Sequence, residues 1–492
     1  MSCNLTHDKI KVYNPATGGA LRDILITKEK DFLDKVELAK SNKDYWNSTK
    51  PKYRKLILQK FRKAIVERLD DFIHTICSET GKKPYEGMLE VYTSVEHMKH
   101  AEKLLPIIFR KHKRRVGTLL TKKAWTELQP MGIAGIISPW NYPLILTLTP
   151  IVEALTAGNI VILKPSEQTP LTTELLKNVW DESTGEINIF HTIYGGSDVG
   201  QMLVNSPDTD IICFTGSTKI GKMIAIDCAK HLKPVILELG GKDPMIVCSD
   251  ADINRAINAA IWGGMSNAGQ TCISVERIFV QDNIKDSFVE KITDKIKTIS
   301  AGSSEDCNFG SISVKAGLEK IKNQIEDARL NAKIIQGIGE DCVGFIYPPT
   351  IVIDPQEESK LMREETFGPV VSISSFTNIS DVIKKANSTG YGLSASVFSK
   401  NTKQAKFIAS KIRAGSVAIN DVMSHYGIAD LPFGGVGLSG IGRVHGEEGV
   451  KAFCLQKSYM TNRINLGDEI WWYTKSKKYQ RLIRKFLKFY FG

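Results

Sequence analysis

Gly132-Ile-Ala-Gly-Ile-Ile-Ser-Pro-Trp-Asn-Tyr-Pro143 runs from a short block of small and branched apolar residues into a turn of Ser, Pro, Trp and Asn. An apolar run of this length closed by turn formers reads as a buried strand that ends at a loop. Met131 to Val152 holds 22 residues without a charge, enough by length to cross a bilayer. Pro139, Pro143 and Pro150 would interrupt such a helix repeatedly, so strand, loop and following helix is the better reading.

Downstream the same pattern repeats. Residues 159–163, 189–193 and 211–214 read as further buried strands, and 150–157, 172–182, 199–205 and 220–231 as the helices between them. Strand and helix in alternation predict a parallel sheet covered on both faces, with its ligand outside the carboxyl ends of the strands. The turns there include Lys164-Pro-Ser-Glu167 and Phe214-Thr-Gly-Ser-Thr-Lys-Ile-Gly221. The second passes from strand to helix through small residues, where backbone N–H groups can cradle a pyrophosphate. Lys164 and Glu167 can hydrogen-bond ribose hydroxyls. Each is an ordinary turn when taken singly, but together they favour a nucleotide. Gly435-Val-Gly-Leu-Ser-Gly440 also matches a dinucleotide fingerprint literally, yet it follows no strand and reads as a tight packing loop.

Residues 28–115 carry apolar positions at helix spacing, among them Phe32, Val36, Ala39, Leu56, Phe61 and Ile65. A second alternating region spans 245–417, with strands expected at 245–247, 277–280, 370–376 and 394–398. Helices are expected at 253–262, 284–299, 316–331 and 379–387. Its first helix leads into Asn267-Ala-Gly-Gln-Thr-Cys-Ile273, and about thirty residues upstream lies Leu237-Glu-Leu-Gly-Gly-Lys242. Cys272 and Glu238, each on a glycine-loosened loop, pair a thiol nucleophile with a carboxylate base.

The nine cysteines are scattered without a Cys-x-x-Cys pair, which points to free thiols in a reducing compartment and to no metal site. The first residues lack a signal-peptide pattern. Of the net charge of +11, seven Lys or Arg lie in residues 470–492, leaving +4 for the remainder. The basic balance therefore belongs to the tail, and no nucleic-acid partner is expected.

Seven motifs occur in order: Pro139-Trp-Asn-Tyr-Pro143, Lys164-Pro-Ser-Glu167, Phe214-Thr-Gly-Ser217, Leu237-Glu-Leu-Gly-Gly-Lys242, Asn267-Ala-Gly-Gln-Thr-Cys272, Glu364-Glu-Thr-Phe-Gly-Pro369 and Pro432-Phe-Gly-Gly435. The chain resembles the NAD(P)-dependent aldehyde dehydrogenase superfamily from about Tyr13 to Ser458. That resemblance implies an α/β protein with a Rossmann-like NAD-binding domain, a second α/β catalytic domain and a small β oligomerisation extension. Residues 1–111 with 130–240 would form the first, 241–432 the second, and 112–129 with 453–464 the strands of a homodimer or tetramer. Cys272 would attack the aldehyde, Asn141 would hold the oxyanion, and Glu238 would activate the water that hydrolyses the thioester. Glu365 would meet the nicotinamide ribose, with Phe367 and Trp140 beside it. Lys164 and Glu167 would meet the adenosine ribose. Gly216, Ser217 and Gly221 would form the pyrophosphate turn, and Gly196 and Gly200 would lie on the adenine side. A carboxylate at Glu167 repels a 2′-phosphate, so NAD is expected, with NADP as the alternative that Lys164 leaves open. A glutamate at 238 speaks for hydrolysis rather than acyl transfer to coenzyme A. Met265 and Ser266 stand where some members carry aromatics, which implies either a roomier channel or simple packing.

In the tail, Tyr479, Leu482, Ile483, Phe486, Leu487 and Tyr490 recur at helix spacing, with Lys and Arg between them. This reads as a basic amphipathic helix suited to a membrane surface, with packing on a partner subunit as the alternative. It resembles the extension of fatty-aldehyde members, which implies a hydrophobic aldehyde and a cytoplasmic chain held at the inner face of a membrane. A small polar semialdehyde as substrate, or an inactive structural relative, are the rival readings.

Overall fold

The structure is a computed structural model that describes residues 4–5, 8–340, 344–465, 467–469, 471–473 and 477–492. It divides into two compact units, Met1–Ile108 with Pro130–Leu455, and Phe109–Gln129 with Gln456–Gly492.

The first unit contains two large sheets. One has six strands in the order Gly440–Ile441, Val235–Glu238, Ile211–Thr215, Ile133–Ile137, Ile160–Lys164, Phe190–Thr192. All its pairings are parallel except that of Gly440–Ile441. The first strand in sequence, Ile133–Ile137, lies inside the sheet: the chain builds outward on one side and then returns to build on the other. The strand order reverses between Ile133–Ile137 and Ile211–Thr215, which is where an open α/β sheet leaves a crevice for a ligand. The strands are buried on both faces, as their unbroken apolar runs require.

The other sheet has seven strands in the order Lys333–Gln336, Thr350–Ile353, Val370–Phe376, Val275–Gln281, Asp243–Val247, Ser394–Phe398, Ser416–Ile419. Only the first pair is antiparallel. Each expected strand and helix of both regions is present within a few residues of its expected bounds.

Some expectations needed correction. The helix expected from residue 150 spans Ile145–Ala157 and keeps Pro150 inside it. Its start is secured from outside, because buried Glu90 accepts the Leu144 and Ile145 N–H groups at 2.8 and 3.3 Å. The four-residue strands Val235–Glu238, Thr350–Ile353 and Ser416–Ile419 are additional to those expected. The small sheet of Asn4–Leu5, Lys9–Tyr13 and Ala20–Leu25 was also unforeseen. Residues 28–115 form four helices, Glu29–Ser48, Pro51–Glu67, Leu69–Thr80 and Pro84–Ile108. The helical expectation therefore overran at its end. Leu56 is 48% exposed rather than part of the core.

In the second unit His112–Arg114 is a strand, antiparallel to Lys122–Pro130. A run of five consecutive basic residues offers no apolar stripe to bury as a helix. As a strand it stays exposed, with Lys111 Nζ 2.7 Å from Glu127. Cys454–Asn462 completes this three-stranded sheet, and Tyr459 stacks on Trp125 at 5.2 Å between ring centres. The tail forms a helix, Lys477–Tyr490, with Leu482, Phe486 and Leu487 all exposed. No helix among the described residues is long and apolar enough to cross a membrane.

Candidate active site

Helix Ile253–Met265 delivers the chain into a short 3₁₀ turn in which Asn267, Ala268 and Gly269 all have positive φ, 54°, 54° and 70°. Side chains other than glycine rarely adopt this region, so the turn must be fixed by its surroundings. Glu86 accepts the Asn267 N–H at 2.6 Å. The Asn267 amide donates to the Asn141 carbonyl at 2.9 Å, and buried Gln270 donates to the Asn267 carbonyl at 2.9 Å while accepting from the Ser313 N–H at 2.8 Å. A Cβ on Gly269 would stand 2.0 Å from the Gly368 carbonyl oxygen, so only glycine fits. Cys272 thus emerges from a pinned loop.

The Asn141 side-chain amide donates to the Gln270 carbonyl at 2.9 Å. One hydrogen orients the group and the second is left for another acceptor. Tyr142 shares a 2.8 Å hydrogen bond with Thr271, tying the two loops together again.

Cys272 is half-buried. Burial pushes its thiol up, and the nearby carboxyls of Asp243, Glu238 and Glu365 act in the same direction. At rest it is a thiol, and a base must take its proton before it can act as a nucleophile. Glu238 ends the strand Val235–Glu238 and is buried, with no protein hydrogen-bond partner for either oxygen among the described residues. Burial raises its carboxyl well above the usual range, Arg443 opposes this, and Glu153 adds to it. Both residues line one cleft of about 310 Å³, together with Asn141, Trp140, Glu365 and Phe367.

The Gly240-Gly241 turn brings the two halves of the site close. A Cβ on Gly241 would lie 2.8 Å from the Cys272 carbonyl oxygen. The Gly241 N–H donates to Glu365 at 3.1 Å, and burial lifts the Glu365 carboxyl to about 7. Phe367, at φ 57°, meets the Trp140 ring edge-on at 5.6 Å.

Glu276, missed in the sequence, holds this segment together with Lys242 of the Leu237–Lys242 motif. Glu276 accepts the Thr366 N–H at 2.9 Å and the Phe367 N–H at 3.1 Å, and it forms a buried ion pair with Lys242, whose ammonium also donates to Thr366 Oγ1 at 3.0 Å. The available signal was an acid and a base, Glu276 and Arg277, in an otherwise apolar strand.

The residues expected at the pyrophosphate and adenosine fall in three places. Gly216 and Ser217 line the same cleft. Ser217 caps the helix Thr218–Lys230, a Cβ on Gly216 would come within 2.5 Å of the Phe214 ring, and the Gly216 N–H donates to the Glu238 carbonyl at 3.0 Å. The turn is a bare backbone cradle. Lys164 and Glu167 are outside the cleft's lining and pair at 3.2 Å. Gly200 is their neighbour, since a Cβ there would lie 3.7 Å from the Lys164 chain, and Gly196 precedes the helix Ser197–Asn205. Gly221 is placed differently: it faces Leu239, only 2.5 Å from where its Cβ would be, and so lets the helix approach the strand end.

Met265 is buried in the core, which is the packing alternative. Buried His425 faces Ser394 Oγ at 3.4 Å and lies outside the cleft, whereas Tyr426 lines it.

Residues 4–459 match the model of the Aldehyde dehydrogenase family. The chain is 33% identical over 491 residues to the 4,4′-diapolycopene aldehyde oxidase of Methylomonas sp, covering 98% of this chain and 91% of that one. It is 32% identical over 456 residues to a probable succinate-semialdehyde dehydrogenase, NADP(+), of Sinorhizobium fredii, covering 90% and 91%. Among solved structures, the Mycobacterium tuberculosis aldehyde dehydrogenase complexed with NAD+ superposes with a TM-score of 0.88 at 30% identity, over 94% of this chain and 96% of that one. The protein belongs to the aldehyde dehydrogenase family.

Proposed function

We propose that the chain oxidises a hydrophobic aldehyde to its carboxylic acid through a thioester on Cys272, with NAD as cofactor and NADP as the alternative. The observation that carries this reading is that the Cys272 thiol, the Asn141 amide and the partnerless Glu238 carboxyl line one cleft.

The Cys272 thiol gives up its proton to solvent, and its sulfur adds to the aldehyde carbonyl. The free hydrogen of the Asn141 amide and the Cys272 backbone N–H meet the oxyanion where its charge develops. The cofactor, when bound, supplies the hydride acceptor. Gly216 and Ser217 suit its pyrophosphate, since they line the cleft at the start of the helix Thr218–Lys230 with no bulky side chain over the backbone. Lys164 and Glu167 suit the adenosine ribose, and Glu365, Phe367 and Trp140 the nicotinamide end. Glu238, once deprotonated, then takes a proton from the water that attacks the thioester. The carboxylate of Glu167 favours NAD over NADP by charge.

Leu146, Tyr426, Phe433 and Val444 give the cleft an apolar wall, which supports a hydrophobic substrate over a small charged semialdehyde. On this reading residues 1–111 and 130–240 bind the nucleotide, 241–432 carry the nucleophile, and 112–129 with 453–464 pair subunits into a dimer or tetramer. The exposed helix Lys477–Tyr490 then rests on an anionic membrane at its inner, cytoplasmic face, where such aldehydes partition. The test is NADH formation by the purified chain over aldehydes of graded length, with Cys272→Ala beside it. No NADH from any aldehyde, or undiminished NADH from the variant, overturns the reading.

A further inference from the structure

A second cavity, of about 20 Å³, is walled by His97 and His100 of helix Pro84–Ile108, Thr149 and Glu153 of helix Ile145–Ala157, and His445. That volume holds about one water. Thr149 also lines the cleft that holds Glu238 and Cys272, so one residue belongs to both walls. Thr149 and Glu153 are four residues apart and share a helix face.

The cluster is polar and unsatisfied. Both Glu238 oxygens, Thr149 Oγ1, Glu153 Oε2 and both ring nitrogens of His445 are buried with no protein partner among the described residues. Such groups are rare singly, and six atoms gathered about two cavities that share the Thr149 wall call for a common use. They are also held firmly. Glu153 Oε1 accepts the His445 N–H at 2.6 Å, and a Cβ on Gly449 would come within 2.3 Å of that oxygen. His445 is kept at φ 67°, with its ring edge-on to His97 at 4.2 Å. At the outer end His100 Nε2 stands 3.2 Å from Asp430, which is exposed.

We propose that this cluster is the route by which Glu238 returns its proton to solvent, through Thr149, a water in the small cavity, Glu153 with His445, and His100 with Asp430. The inference rests on the role of Glu238 in the proposed function. In hydrolysis an O–H bond of water breaks as its oxygen bonds the thioester carbon, the C–S electrons return to Cys272, and the proton stays on Glu238. The next turnover needs Glu238 as a carboxylate. Each relay group takes one proton and gives one up, so none is consumed.

Protonation states agree with this. Burial raises the Glu153 carboxyl to about 8 and pushes His445 well below its ordinary value, so both are neutral near pH 7. A neutral carboxyl and a neutral imidazole each carry a donor and an acceptor, which a relay requires. The titratable groups around Glu153 are Cys213 and Glu238 on the sheet, Tyr426 and His445 on the facing loops, and His97 and His100 on the neighbouring helix.

Glu153→Gln fits the same space and still accepts the His445 N–H, but it cannot pass a proton. The expected result is an intact first burst of NADH followed by steady turnover slowed roughly a hundredfold, the low end of what positioned proton transfer contributes. Imidazole in the buffer should restore the rate. Thr149→Val, a near-isosteric change, should show the same pattern and covers the case in which the first variant folds poorly. Steady turnover within twofold of the parent in both variants overturns the relay. So does a loss of burst and turnover together that imidazole leaves unrestored, since that is a structural effect. A parent chain that makes no NADH would overturn instead the function on which the relay rests.

Discussion

Glu365 occupies the space that a side chain on Gly240 would need: a Cβ built at Gly240 comes within 2.2 Å of Glu365 Oε1. A single methyl group at 240 must displace the carboxylate assigned to the nicotinamide ribose. Overpacking of this kind costs about 1–3 kcal/mol. Gly240→Ala should therefore raise the KM for NAD by roughly tenfold, since about 1.4 kcal/mol is a factor of ten. Saturation curves for NAD at fixed aldehyde measure it, and an unchanged KM would show that Glu365 does not meet the cofactor.

Glu238→Gln separates its step from that of Cys272. The variant should release one NADH per Cys272 and then turn over about 10²–10⁴-fold more slowly, the usual share of a general base. Stopped-flow absorbance resolves the two phases. Loss of the burst as well would make Glu238 necessary for thiol activation rather than for hydrolysis alone.

Stability should depend on pH through Glu153. Its folded value of about 8 lies above the ordinary 4.5, so the folded chain binds the extra proton. Its contribution is complete below 4.5 and is lost as pH rises through 8, at a slope of about 1.4 kcal/mol per pH unit between the two. Glu153→Gln should flatten that slope. Urea midpoints across the window test it, with equal slopes in parent and variant as the contrary result.

The pair Lys242 and Glu276 is fully buried, so removing one partner leaves the other charge uncompensated. Lys242→Met should cost about 3–5 kcal/mol. Lys242→Met with Glu276→Gln should cost less than the two single losses combined. Denaturant titrations of the four chains complete the cycle.

Removing residues 477–492 should release the protein from anionic vesicles while sparing activity on short, water-soluble aldehydes. Co-sedimentation across salt concentrations is the measurement. Undiminished vesicle binding by the shortened chain would rule out the helix as the anchor.

Much of the fold was readable because buried parallel strands are plain apolar runs: Ile133–Ile137, all apolar, stands at its expected bounds. Val235–Glu238 runs almost directly into the Gly240-Gly241 turn, which hides it as a loop, and its pairing is decided by distant chain. In the site, Cys272 and Glu238 could be paired by residue type and motif. Glu276, Thr149, Glu153 and His445 could not, because their meaning lies in what surrounds them. A carboxyl in an apolar helix becomes informative only once its second oxygen is seen to face a cavity.

The edge strand Gly440–Ile441 pairs with Leu237 and Glu238, about two hundred residues earlier. During synthesis the strand that carries Glu238 leaves the ribosome long before its outer neighbour exists. Its last backbone partners, including the Ser439 carbonyl that takes the Leu239 N–H at 3.1 Å, arrive about two hundred residues later. Contacts so far apart in sequence close slowly. A nascent chain can thus complete the loop of Cys272 while the edge beside Glu238 is still open. On the proposed function, the edge that supports the hydrolytic base is thus completed after the loop that carries the nucleophile.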